Sequence, residues 1–266
     1  LFFTNMGRVH RRKGYQIPES GRTSKGSHIA NVLPLEADEK VTAMLLTREF
    51  AEDEFVTMVT RNGTVKRMQM SDLYTARKAG IRVLTLDEGD ELIAVLKTTG
   101  KDNILLATRR GMAICFDEND VRCMGRMAAG VRGIRLGEDD RVVGAAVAEP
   151  GKTLLTVTEK GFGKRTAIES YMRGDEVQGR GGKGKRNYRL TDKTGPVAGA
   201  LVVSEEDDVL LMESGGVVIR TPVRSIGIYG RDTQGVTLMR IGEGNRVIGI
   251  QRTDAAEETE EAAEET

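Results

Sequence analysis

The sequence predicts an all-β fold: a propeller-like disc, or β-pinwheel, made of blades of about 50 residues with four strands each. Three signals that recur in the same order along the chain predict it. The first is a hairpin turn with glycine in second place. It occurs five times, at Met6-Gly7-Arg8-Val9, Asn62-Gly63-Thr64-Val65, Arg110-Gly111-Met112-Ala113, Lys160-Gly161-Phe162-Gly163 and Gly215-Gly216-Val217-Val218. The second is a basic residue followed at close range by glycine, at Arg22 and Gly26, Arg77-Lys78 and Gly80, Arg126 and Gly130, Arg180 and Gly184, and Arg231 and Gly235. The third is an acidic turn that opens an apolar run, as in Glu88-Gly89-Asp90-Glu91-Leu92-Ile93 and Glu138-Asp139-Asp140-Arg141-Val142-Val143; the fourth repeat departs from it with Thr191-Asp192-Lys193-Thr194-Gly195-Pro196.

Each element has its own justification. The X-Gly turns suit primed hairpins, because glycine tolerates positive φ and the turn's twist matches the flanking strands. The runs 104–108, 154–158 and 209–212 are short, β-rich and bounded by turn residues. After the basic loop, alternation at 131–136 and 236–241 predicts a further strand of about six residues. Only 71–79 suggests a helical turn. One such sheet cannot bury both faces alone, so the repetition calls for radially packed blades. The chain begins inside a strand without an initiator methionine, which suggests a fragment with a truncated first repeat.

Composition excludes several classes. No apolar run reaches the length of a membrane span. Two cysteines, Cys115 and Cys123, make no disulfide framework and suit a reducing cytoplasm. Two histidines, His10 and His28, offer neither a zinc site nor a base for a nucleophile. The 40 basic and 40 acidic residues balance, but seven of the acids lie in the last 13 positions, 254–266. Residues 1–253 therefore carry 40 positive against 33 negative charges, a net +7, and form the folded domain; 254–266 reads as a disordered acidic tail. Such a tail either solubilises the chain or competes for a polyanion site.

The basic loops recur at one structural position, so their charges should share one rim. The residues assigned to binding are Arg22, Lys25, Arg77, Lys78, Arg126, Arg132, Arg180, Lys183, Lys185, Arg186 and Arg231. With no Trp and 4% aromatics there is no stacking platform for single strands, and no helix for a major groove. Duplex DNA held through its phosphates fits best, bent along the rim against its own stiffness. The densest patch, Gln178-Gly179-Arg180-Gly181-Gly182-Lys183-Gly184-Lys185-Arg186, is close to a P-loop, but Arg186 stands where Ser or Thr would hold a metal. It reads instead as a glycine-rich loop whose bare backbone lets a phosphate approach. Paired carboxylates lie in turns, and no catalytic constellation or metal set emerges.

Several stretches carry a family resemblance: Gly161-Phe162-Gly163-Lys164-Arg165-Thr166, Met124-Gly125-Arg126 with Gly130-Val131-Arg132-Gly133-Ile134-Arg135-Leu136, Gly230-Arg231-Asp232-Thr233-Gln234-Gly235-Val236, and Asn31-Val32-Leu33-Pro34-Leu35. Over nearly all of 1–253 the chain resembles the C-terminal domain of DNA gyrase A, part of a bacterial type II topoisomerase. The resemblance implies blades that exchange strands and a rim that wraps duplex DNA to support ATP-dependent negative supercoiling. It further implies ATP and Mg2+ for the holoenzyme, none of it bound by this fragment. DNA gyrase B and the N-terminal cleavage core of gyrase A would be its partners in a heterotetramer. The cleavage tyrosine belongs to that core, so no catalytic residue carries over. The family's hallmark heptapeptide, the GyrA box, is matched by Gln178, Gly179, Arg180, Gly181, Gly182, Lys183 and Gly184, except that Gly179 replaces a basic residue. It falls in a late blade rather than the first, which suggests a look-alike in an equivalent loop, with the true box upstream of Leu1. The corresponding domain of topoisomerase IV, and a protein-docking propeller, are the alternative readings.

Overall fold

The computed structural model describes residues 1–21, 24–172 and 176–254. Arg22 and the tail residues 255–266 therefore lie outside the described residues. Nineteen strands and six short 3-10 turns make up the described chain, with no α-helix among them. The first repeat contributes β1 (Phe2–Thr4), β2 (Arg8–His10) and β3 (Val41–Met44). The second contributes β4 (Phe55–Thr60), β5 (Thr64–Gln69), β6 (Ile81–Arg82) and β7 (Leu92–Thr98). The third follows with β8 (Asn103–Thr108), β9 (Met112–Asp117), β10 (Val131–Arg132) and β11 (Val142–Val147). The fourth has β12 (Thr153–Thr158), β13 (Phe162–Ala167), β14 (Lys185–Arg186) and β15 (Val197–Val203). The fifth has β16 (Asp207–Glu213), β17 (Val218–Pro222), β18 (Val236–Thr237) and β19 (Val247–Asp254).

Strand order shows how the repeats interlock. The sheets run β3-β1-β2-β6, β7-β4-β5-β10, β11-β8-β9-β14 and β15-β12-β13-β18, all antiparallel, followed by the three-stranded β17-β16-β19. From the second repeat on, the strand after the basic loop leaves its own repeat and closes the sheet of the preceding one. This is the exchanged-strand pinwheel. The fifth sheet has three strands among the described residues.

The exchanged strands are shorter than the alternation of 131–136 and 236–241 predicts. Only two residues pair in each. After them the chain turns over the preceding hairpin, where one carbonyl collects two amides: Val83 and Leu84 donate to Gly7 O, Gly133 and Ile134 to Gly63 O, Asn187 and Tyr188 to Gly111 O, and Leu238 and Met239 to Gly161 O. The hairpin glycines are needed for this approach. A Cβ on Gly7 would meet Leu84 O at 2.6 Å and one on Gly111 would meet Tyr188 O at 2.8 Å, whereas Gly216, with no incoming strand among the described residues, faces open space.

Four apolar clusters fill the gaps between consecutive sheets. Phe3, Met58 and Met68 pack between the first two; Val59, Leu106 and Phe116 between the second and third. Leu105, Cys115, Leu154 and Tyr171 fill the next gap, and Leu155, Val209 and Leu211 the last. Because both faces of each inner hairpin are covered, β4, β5, β8, β9, β12 and β13 are buried almost throughout rather than alternately.

Candidate nucleic-acid interface

Each basic loop ends in a glycine that seats the exchanged strand on the neighbouring sheet. Gly80, Gly130, Gly184 and Gly235 all have positive φ. A Cβ on Gly80 would lie 2.6 Å from Val9 O and one on Gly130 2.6 Å from Val65 O; Gly184 and Gly235 press as closely on Ala113 O and Gly163 O. Only glycine fits both the backbone angle and the contact. Since the exchanged strand is the last in its sheet, the loop before it runs along the blade's outer edge.

Along that edge each loop touches the exchanged strand of the preceding repeat or the residues just after it. The Thr85 hydroxyl donates to Met127 O at 3.3 Å, joining the second loop to the third. Arg180 Nη1 donates to Arg132 O at 3.0 Å, Gly181 N to Gly133 O at 2.6 Å and Arg135 N to Gly182 O at 2.8 Å, joining the third to the fourth. Arg189 N donates to Thr233 O at 3.1 Å and Arg231 Nη1 to Arg186 O at 3.3 Å, joining the fourth to the fifth. Four successive loops, each continuing through its exchanged strand, thus form one belt.

The residues expected on it divide in two. Lys25, Arg77, Lys78, Arg126, Arg132 and Lys183 are exposed, and their side chains have no hydrogen-bond or ion-pair partner among the described residues. Arg180, Lys185, Arg186 and Arg231 are partly engaged within the protein. The Arg180 guanidinium also donates to Asp120 O at 2.8 Å, and Lys185 Nζ donates to Met172 O at 2.8 Å. Arg186 and Arg189 converge on Asp232 at 3.4 and 3.3 Å; the Arg189 hydrogen bond above all holds that carboxyl below the usual range. Within the heptapeptide Gln178 and Arg180 are half-buried, Lys183 is exposed, and Gly179 faces open space. The expected bare backbone is only partly so: the Gly181 amide and the Gly182 carbonyl are taken by the third loop.

Sequence reasoning passed over Arg11, Arg12 and Lys13. With Arg77, Lys78 and Tyr15 they line a cleft of about 550 Å³ at the start of the belt. Arg11 stacks over Tyr74 at 4.7 Å and Phe50 at 5.4 Å. The basic run Arg11-Arg12-Lys13 was visible, but it precedes the loop signal and belongs to no repeated pattern. Conversely Arg67 and Arg165 are not belt residues. Arg67 is buried beside Glu118 at 3.1 Å and over the Phe55 ring, and Arg165 Nε donates to Ile226 O at 2.6 Å.

A family model described as DNA gyrase C-terminal domain, beta-propeller, matches residues 1–48, 54–99, 102–149, 152–204 and 207–254, one match for each repeat. The chain belongs to the DNA gyrase C-terminal domain family. Among curated relatives, the DNA gyrase A protein of Lawsonia intracellularis is 44% identical over 257 residues, 96% of this chain and 31% of the relative. That of Escherichia coli is 42% identical over 252 residues, covering 95% and 28%. The chain therefore spans about three tenths of the length of these relatives. A solved C-terminal domain of DNA topoisomerase IV superposes with a TM-score of 0.87 at 25% identity, over 95% of this chain and 78% of that one. A solved DNA gyrase A C-terminal domain does so at 0.80 and 24% identity, over 94% and 80%, which speaks for the fold. No described helix is long and apolar enough to cross a membrane.

Proposed function

We propose that this gyrase-family domain binds duplex DNA without sequence preference, bends it and wraps it along the belt of basic loops. The observation that carries this reading is the loop-to-loop continuity from Thr85 to Thr233, with unpaired cations facing outward along it. Phosphates follow such a track without any base being read, and the release of their counterions makes binding strongly salt-dependent. In a whole gyrase A protein, working with the cleavage core, gyrase B, ATP and Mg2+ in the cytoplasm at the nucleoid, this wrapping supports negative supercoiling. The likeness to the topoisomerase IV domain keeps that enzyme as the second reading, and a protein-docking propeller as a third.

A mobility shift on duplex DNA across a salt series tests the proposal. Affinity that falls steeply with salt, and falls equally for unrelated sequences, supports DNA binding. Salt-indifferent binding, or none, leaves the docking module. A topology assay on relaxed plasmid separates the first two readings: trapped supercoils favour gyrase, and their absence alongside DNA binding favours topoisomerase IV.

A further inference from the structure

Two lysines lie where lysine is rarely found. Lys66 on β5 and Lys164 on β13 are fully buried, at 0% exposure. Each stands three residues after its hairpin glycine, Gly63 or Gly161, and so at the same place in two repeats. Burial lowers the pKa of both ammonium groups to about 8, so both remain charged at neutral pH. For Lys164, Asp232 pulls upward against this and Arg231 pushes further down. An ammonium taken out of water is retained only where its donors are satisfied, and replacing such groups by apolar ones is often no loss to stability.

Their partners are all main-chain carbonyls, and most belong to a belt loop. Lys66 Nζ donates to Arg126 O at 2.8 Å, Ala128 O at 2.8 Å and Val83 O at 2.7 Å. Lys164 Nζ donates to Gly230 O at 2.6 Å and to Arg231 O, with the Tyr188 ring 5.3 Å away. Arg126 and Arg231 are equivalent: each lies four residues before the glycine that seats the exchanged strand. In both repeats, then, a charge sealed inside one blade holds the carbonyl of the next repeat's belt arginine, which is exposed at Arg126 and half-buried at Arg231.

We propose that Lys66 and Lys164 are positioning residues, each clamping the next repeat's basic loop by its main chain and so setting where Arg126 and Arg231 aim their guanidinium groups at a polyanion. This rests on the duplex-DNA reading above. The lysines touch no DNA themselves, and the clamp leaves every side-chain donor of Arg126 free for phosphate.

The test is a double-substitution cycle on the 266-residue chain, with Lys66→Met, Arg126→Ala and both together, read as duplex affinity. Arg126→Ala in the parent chain is expected to weaken binding about fivefold, and in the Lys66→Met background less than about twofold, because the arginine there is no longer aimed. Equal, additive losses overturn the clamp. Unchanged affinity in Arg126→Ala overturns the DNA reading instead, and with it the aiming role. A second measurement needs no variant that might fail to fold. In carbonyl NMR of the unmodified chain, the Arg126 and Ala128 signals are expected to titrate together near pH 8, where Lys66 gives up its proton. Arg126 and Ala128 carbonyls that titrate at different pH values, or stay fixed up to the pH at which the chain unfolds, overturn the clamp.

Discussion

The loop that carries Arg126 and the loop that carries Lys183 occupy the same place in consecutive repeats, and they are held in opposite ways. The first rests on the Lys66 ammonium, which reaches up from the blade beneath and takes the carbonyls of Arg126 and Ala128. The second sits over Ile114, the residue at the Lys66 position in its blade, which is buried and apolar. With no charge beneath it, that loop is tied by its own Arg180, whose guanidinium donates to Asp120 O and Arg132 O, and by the backbone of Gly181 and Gly182. The contrast shows two ways to order a polar loop on a sheet edge. One places the anchoring cation in the neighbouring blade and leaves the loop's cations free; the other commits a loop cation to anchoring and keeps Lys183 outermost.

The comparison can be broken at several points. The largest effect is expected from Gly184→Ala, which forces a side chain into positive φ and against Ala113 O. It should cost about 3 kcal/mol in denaturant unfolding, while Gly179→Ala, in open space, should be neutral. Lys66→Ala leaves three carbonyls without their donor and should cost about 1–3 kcal/mol. Arg180→Ala should lower both stability, by about 1 kcal/mol, and duplex affinity, since the side chain anchors the loop as well as charging it. Lys183→Ala should leave stability alone, weaken binding to all sequences alike and flatten the salt slope by about one unit.

A pH dependence also distinguishes the clamped repeats. Folded Lys66 and Lys164 release their protons near 8, whereas an unfolded lysine keeps its proton to about 10.4. Between those values the unfolded chain binds more protons, so stability rises with pH across the window. Unfolding free energies compared at about pH 7.5 and about pH 9.5 should show this rise in the parent chain. The rise should be flattened in the double variant Lys66→Met/Lys164→Met.

Much of this architecture was legible because it repeats. The hairpin glycines at 7, 63, 111, 161 and 216 marked the repeats, and the basic residue before Gly130 or Gly235 marked the loops. Strand exchange was not legible in the residues themselves, because Val131–Arg132 is a two-residue strand, too short for its pattern to say which sheet it joins; the family resemblance implied it. The alternation of 131–136 suggested a longer strand, since Gly133 and Ile134 turn over the Gly63 carbonyl while keeping the apolar-polar order a strand would show. The belt's charges were visible, but not their commitments: nothing local to Arg186 or Arg189 announces Asp232, which lies 46 and 43 positions away. The clamp has a trace in the sequence too, Lys66 and Lys164 standing at the same offset from their hairpin glycines, but a lysine in a strand reads as a solvated side chain until its burial is known.

The central claim, one continuous DNA track across four repeats, is tested most directly by amide NMR of the chain with and without a short duplex. Shifts confined to the loops around 77–85, 122–135, 178–189 and 230–237, disappearing together as salt is raised, are the predicted result. Shifts in the inner strands or on a single loop, with the other three unmoved, would contradict it.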